Sequence, residues 1–453
     1  MDTLGRDLTR GPILSQLLRF TLPIVVANML QMAFNLVDMY FIGRYAGTDA
    51  FSAVSIAGQL TGLMFSFFMG IATAGQICTA QAVGAGQHRD LNGIIGNTMT
   101  LSIAVGAVLM LIIPLASPVL RLLNTPPEIL ADTVRYLIIC ASINIPVALY
   151  NGMSGILRGM GDSKRPTWFA LVATVVNIIL DYLFICRFRW GVAGAAWATI
   201  IGQLSACVFA LAYLYRYRDK FGFNFRLQSL RPVKRFMSSL LKMGVPITVQ
   251  SFFINGSIIF VGAQINRLGV LAVAVSGISQ KLQSILGVFT MALNNGTASM
   301  VGQNFAAGDI PRVRRSVWDA VAVGLGFFVM ISLLFLTMPH EIFSLFTRDT
   351  EVIAMAPAFM KVSCLAMLAM ALMAPPIGLM NGVGNTALNM VISVADGVAA
   401  RIALSLLFGY TLEMGVLGFY LGNSLAGFVT VIWGGLYFLR GRWAYRSVLN
   451  CTS

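Results

Sequence analysis

Apolar residues along this chain come in long unbroken runs, not in the alternation of strands. The runs lie near 14–42, 52–80, 92–116, 130–156, 167–186, 192–215, 239–265, 271–300, 316–338, 352–380, 386–408 and 415–438. About 20 apolar residues cross a bilayer as a helix, so the pattern predicts twelve spans. The first reads LSQLLRFTLPIVVANMLQMAFNLVDMYFI, Leu14 to Ile42. Pro23 withholds a backbone donor there and invites a kink. Asp38 puts a carboxylate where lipid-compatible residues belong, which points to a polar, functional interior. Gln31 precedes it by two turns, on the same helical face. The plain alternative is an interfacial Asp38 paired loosely with Arg44.

Composition supports a membrane protein: 57% of the 453 residues are hydrophobic and 11% charged, against about 25% charged in soluble chains. The first run is too long for a cleavable signal, and no small-residue cleavage site follows it. The net charge of +14 would suit nucleic acid, but its distribution does not. With the N-terminus inside, 21 Lys and Arg fall on cytoplasmic segments, 6 on external loops and 4 within spans. That asymmetry predicts a multi-pass protein of the cell's inner (plasma) membrane with both termini cytoplasmic, and no nucleic-acid partner. Eight of the cations, Arg216 to Lys242, form a basic connector expected to touch anionic lipid. The six cysteines show neither metal nor disulfide spacing. His88 and His340 cannot build a metal site alone. There is no Walker-type loop and no HExxH, and GVGNTA at Gly382–Ala387 lacks a preceding strand. Neither an enzyme nor an ATP-driven pump is expected, and no cofactor.

The chain repeats itself. Leu17-Leu18-Arg19 with Pro23-Ile24 recurs as Leu240-Leu241-Lys242 with Pro246-Ile247. QAVGAG at Gln81–Gly86 recurs as QNFAAG at Gln303–Gly308, and GILRGMGD at Gly155–Asp162 as GLMNGVGN at Gly378–Asn385. The offset drifts from 222 to 224. Six spans separate equivalent positions, an even number, so the halves share one orientation. The expected fold is an all-α polytopic membrane protein, twelve transmembrane helices in two pseudo-symmetric six-helix lobes, a parallel repeat about an axis along the membrane normal. The lobes are 1–215 and 239–453, the second ending in a short cytoplasmic tail, with the connector at 216–238 between them.

The repeat also acts as an internal control. Asp38 maps to Val261, Gln31 to Ile254, Asn177 to Ala400 and Asp181 to Leu404. Asn177 and Asp181 are i, i+4 on one helical face. Counting from the external loops puts Asp38, Asp181, Thr199 and Tyr136 in one layer, about 9–12 Å deep at 1.5 Å per residue. Such oxygen ligands suit a small hard cation, and paired carboxylates also hold a proton. A hydrogen-bonded network that merely pins helices is the alternative, with Arg135 able to neutralise one acid. The second half offers Lys281, Lys361, Asp396 and Arg401, either a structural ion pair of the last two or a second polar site. Met29, Met32, Met64, Met69, Met291, Met370 and Met373 could line an adaptable cavity or merely face lipid.

QAVGAG, LRGMGDSKRP at Leu157–Pro166 and VNIILDYLFI at Val176–Ile185, in this order within a six-plus-six repeat, resemble the multidrug and toxic compound extrusion (MATE) transporters. The resemblance covers nearly all twelve spans and favours the branch whose first lobe holds the cation site. It implies an antiporter exporting amphipathic, often cationic small molecules against inward H⁺ or Na⁺ by alternating access. Its matching positions are Asp38, Asn177, Asp181 and Thr199, which could hold Na⁺, with Gln31 and Tyr136 nearby and Pro23 as a helix hinge. The other branch uses carboxylates on spans seven and ten. Here span seven offers Gln250 and Asn255, and span ten only Glu351 at its edge. A lipid-linked saccharide flippase of the broader superfamily is the alternative, left open by Lys281, Lys361 and Arg401. Small-molecule substrates and membrane lipids are the expected partners, and a monomer the expected state.

Overall fold

The computed structural model of the chain describes residues 7–123 and 125–446. The end of the tail with Cys451, and residues 1–6, lie outside them. Among the described residues there is no strand. Eleven helices among them are long and apolar enough to cross a membrane, twelve with a bent pair taken as one span.

The first half comprises α1 (Ile13–Tyr45), α2 (Thr48–Gly84), α3 (Leu91–Met110), α4 (Ile112–Leu122), α5 (Pro127–Ala141), α6 (Asn144–Gly159), α7 (Lys164–Asp181) and α8 (Gly191–Arg216). A short α9 (Arg218–Phe221) follows. The second comprises α10 (Lys234–Asn266), α11 (Val270–Ala306), α12 (Ile310–Thr337), α13 (Pro339–Ser344), α14 (Thr350–Ala354), α15 (Ala356–Gly382), α16 (Thr386–Val394), α17 (Arg401–Leu406) and α18 (Gly415–Arg440). The repeat is visible in backbone detail. α1 and α10 are both 33 residues, α2 and α11 both 37, α8 and α18 both 26. Even the unusual dihedrals recur: Gly47 has φ 92° and Gly269 φ 99°, while Arg189 and Glu413 share φ 55° and 54°. Left-handed conformations are costly for residues with a Cβ, so their recurrence at matched positions reflects one loop design used twice.

The expected single span at 130–156 is instead α5 and α6 meeting at 50°. Pro146 is the reason: it cannot donate to the carbonyl of Ser142, and its ring disfavours helix just before it. The run 92–116 also divides, into α3 and α4 at Leu111.

Packing divides the chain into two compact units. One contains Leu22–Val245, the other Leu8–Thr21 with the described residues from Pro246 on. The boundaries therefore run inside α1 and α10, beside Pro23 and Pro246. In the second unit Leu17 is buried with Leu293, Met300, Ala320 and Ala374, and the backbone of Leu8 is held at both ends: its N–H by Gln303 Oε1 at 3.0 Å, its carbonyl by Asn304 and Arg312. In the first unit Met243 Sδ lies 3.9 Å from Cys78 Sγ. The core of that unit is α2 against α6, where the helices approach so closely that a Cβ at Gly155 would sit 2.0 Å from the Ala72 carbonyl oxygen.

The basic connector is less loose than its composition suggests. A 3₁₀ turn at Leu227–Leu230 lies along α3. Thr100 Oγ1 donates to the Leu230 carbonyl at 2.6 Å, Val233 N–H to Asn97 Oδ1 at 2.8 Å, and Arg235 pairs with Asp90 at 2.8 Å. Its remaining cations, Arg216, Arg218, Lys220, Arg226, Arg231 and Lys234, are exposed.

Candidate cation site

Four helices of the first unit bring the predicted polar set together. Asp38 lies on α1, Tyr136 on α5, Asn177 and Asp181 in the last turns of α7, and Thr199 on α8. Helix α8 packs against both α5 and α7. Gly202, one turn beyond Thr199, permits this: a Cβ there would lie 2.9 Å from the Ala173 carbonyl and 3.0 Å from Asn177 Cβ. Immediately after Asp181 the helix widens into a π turn, Tyr182–Arg187, in which Phe188 N–H reaches the Leu183 carbonyl at 2.8 Å. Wide turns of this kind re-aim side chains and are common at functional positions.

The four residues Asp38, Tyr136, Asn177 and Asp181 are almost wholly inaccessible, at 6%, 7%, 1% and 0% exposure. Asp38 Oδ1, both carboxylate oxygens of Asp181 and both side-chain amide atoms of Asn177 have no hydrogen-bond partner. Asp181 lies within Coulombic reach of Asp38. The Tyr136 hydroxyl lies near Thr199 and the Cys140 thiol, and Thr199 donates to the Ala195 carbonyl at 3.0 Å, leaving its lone pairs for another donor. Among the described residues no ion pair joins either acid to a base. Arg135 and Arg44 are both exposed, so neither the neutralising pair nor the interfacial pair forms. A network that only pinned helices would satisfy its members, since a buried unpaired polar group costs about 1–3 kcal/mol. Two carboxylates and an amide, buried and unsatisfied, with the lone pairs of the Thr199 hydroxyl, are oxygen ligands of the kind that suits a hard monovalent cation or a shared proton. Among the described residues no three His, Cys, Asp or Glu gather as a transition-metal site would require.

Gln31 does not join them. It shares Asp38's helical face, yet it is exposed while Asp38 is covered. Pro23 lies inside a continuous α1, and its carbonyl accepts the Thr167 hydroxyl of α7 at 2.8 Å. The second-half set divides. Asp396 and Arg401 pair, Nη2 to Oδ1 at 3.8 Å, while Lys281 and Lys361 are exposed on α11 and α15. Of the methionines, Met64 is buried in the first unit and Met370 lines a small apolar pocket of the second with Phe289 and Phe327, whereas Met29 and Met291 are exposed.

The twin positions sharpen the contrast. Val261, twin of Asp38, is 6% exposed in an apolar cluster with Ile265, Ala272 and Phe419. Phe359, twin of Tyr136, is buried without a hydroxyl. Sequence reading missed Cys140, one turn beyond Tyr136, and Thr430, whose hydroxyl donates to Asp396 Oδ2 at 2.7 Å. The repeat could have flagged Thr430, because its twin is Ala206.

Comparison with known proteins agrees with this architecture. Over 451 residues, 96% of this chain and 97% of the relative, the chain is 28% identical to the probable multidrug resistance protein YpnP of Bacillus subtilis. It is 26% identical to the multidrug export protein MepA of Staphylococcus aureus, covering 94% of this chain and 90% of that one. A crystal structure of MATE in the straight conformation superposes with a TM-score of 0.92 at 18% identity, over 98% of this chain and 99% of that one. One in the bent conformation gives 0.87, also at 18% identity, over 97% and 98%. A family model described as MatE matches residues 23–183 and 246–411, most of each repeat up to its last span, and the chain accordingly belongs to the MatE family of multidrug and toxic compound extrusion transporters.

Proposed function

We propose that this chain is a secondary active antiporter that exports amphipathic, often cationic small molecules across the cell's inner membrane in exchange for inward H⁺ or Na⁺, by alternating access of its two repeat lobes. The observation that carries the reading is the buried, unpaired set Asp38, Asn177 and Asp181, present in one half and replaced by Val261, Ala400 and Leu404 in the other. The names of relatives such as YpnP and MepA support drug export as the activity. Of the basic set behind a saccharide-flippase reading, Arg401 is engaged by Asp396, so export is favoured.

In the proposed cycle Asp38 and Asp181 hold the coupling ion between them, as one proton or as Na⁺ with Asn177 and Thr199 completing its oxygen shell. Tyr136 orients Thr199 from α5. The ion cancels charge that the buried carboxylates otherwise leave uncompensated, so its arrival and departure change which packing of α1 against α7 is stable. Substrate favours the ion-free state, and by linkage the ion weakens substrate binding by the same coupling energy. A ligand that bound both states equally would shift nothing.

The test uses purified full-length protein at low buffering, with a lipophilic cation such as tetraphenylphosphonium as the probe. Its addition is expected to release protons, or Na⁺ if sodium couples, and the release should vanish in the Asp38→Asn/Asp181→Asn double variant. Tight probe binding without release of either ion would overturn the reading. Efflux from vesicles with the pH and Na⁺ gradients imposed separately then identifies the ion.

A further inference from the structure

Asp396 and Arg401 lie in the span Thr386–Thr411, five residues apart. On an α-helix that spacing is a rotation of about 140°, which would send the side chains from nearly opposite faces. They meet because the segment between them, Ala395–Ala400, is a π turn in which the Arg401 N–H donates to the Asp396 carbonyl. The wider turn carries both side chains to one face. Asp396 is 4% exposed. Thr430 of α18 satisfies its Oδ2, while Oδ1 and Arg401 Nε are buried without a hydrogen-bond partner. The guanidinium therefore engages the carboxylate at one corner, at 3.8 Å, and not through a bidentate fork.

The first unit shows that the fold does not need this arrangement. Its equivalent residues are Ala173, Ile178 and Ala206, and its helix stays α through Asp181. Replacing a buried ion pair by apolar residues is often neutral or stabilising, and charge at membrane depth is retained where it works.

We propose that the second unit holds a proton-binding site of its own, in which Asp396 Oδ1 takes the proton and Arg401 and the π turn respond to it. A metal cation is the poorer fit. It would need several oxygen ligands beside a guanidinium that repels it, whereas a proton needs a single lone pair. α18 presents Thr430 to this carboxylate, and α10 presents Ile254 against Gly397, 3.0 Å from the position of a Cβ. Among the described residues Arg401 is the charge that acts on Asp396. When a proton adds to Oδ1 the carboxylate becomes a neutral carboxyl, no bond breaks, and the attraction holding Arg401 at that corner is lost. The π turn then has no pair to maintain, and the span relaxes toward α. This site is separate from Asp38 and Asp181; only its use in a transport cycle rests on the antiport reading.

Hydrogen exchange of the full chain in detergent, followed from mildly alkaline to mildly acidic pH and corrected for intrinsic rates, tests it. Protection of the peptide 395–411 is expected to change several-fold on acidification in the wild type. The change should disappear in Asp396→Asn and in Asp396→Ala/Arg401→Ile/Thr430→Ala, a set that copies the first unit and so keeps the test open if the single variant misfolds. It should persist in Asp38→Asn/Asp181→Asn. Protection that ignores pH in the wild type would overturn the proposal. So would a response that survives in the Asp396 variants, one that vanishes in the Asp38/Asp181 variant, or one that Na⁺ reproduces at fixed pH. Failure of the antiport reading would look different: probe binding without ion release, with this response intact.

Discussion

Asp38 and Asp181 are the residues for which the repeat makes the sharpest forecast. Their twins at the repeat offset are Val261 and Leu404, so the fold is expected to form without either carboxylate. Asp38→Asn and Asp181→Asn are each expected to abolish efflux while folded yield, read by size-exclusion profile, stays near wild type. Normal drug resistance with Asp38→Asn would remove the site. Tyr136→Phe copies Phe359 in the other half and deletes one hydroxyl. A single hydrogen bond is worth about 0.5–1.5 kcal/mol, so coupling-ion affinity should fall roughly two- to tenfold at RT ≈ 0.59 kcal/mol, with the thermal midpoint little changed. An ion titration of the purified variant measures it.

Helices α1 and α6 carry different forecasts because proline and glycine do different work in them. Pro23 leaves the carbonyl of Arg19 without its helical donor, and Thr167 of α7 binds the proline's own carbonyl, so a bend in α1 would be felt by the helix that carries Asp181. Pro23→Ala restores the missing donor. It should slow turnover in proteoliposomes while ion binding at Asp38 persists; unchanged turnover would take Pro23 out of the mechanism. Gly155 works by absence. Its α-carbon faces the Ala72 carbonyl so closely that a methyl group would lie 2.0 Å away. Gly155→Ala must push α2 from α6, an overpacking penalty of about 1–3 kcal/mol, seen as a lower thermal midpoint and reduced yield even without substrate or ion.

For the molecule as a whole, the surplus of Lys and Arg on one side forecasts orientation. A cysteine placed in the exposed part of the connector, at Lys220, should react with an impermeant reagent only from the cytoplasmic side, and one at Asp49 only from outside. The reverse pattern would invert the depth reckoning that grouped the polar residues.

The twelve spans, the repeat and the depth count that groups Asp38, Tyr136, Asp181 and Thr199 are all read from the chain itself, because hydrophobic run length, helical rise and the nearly constant offset between halves are properties of sequence order. Membrane depth is one such property, since residues on different helices can be counted from their own loops. Which face of a span is covered is not. Gln31 and Asp38 stand two turns apart on one face, yet only Asp38 is enclosed, because cover comes from neighbouring helices that sequence spacing does not locate. The pinning of the connector to α3 and the unit boundaries inside α1 and α10 likewise depend on where a chain segment finds packing partners, whereas the bend between α5 and α6 was written locally, in Pro146. Asp396 and Arg401 show the limit most clearly. Five residues apart, they would diverge on any regular α-helix, and only the folded span, by widening one turn, could bring them to the same corner.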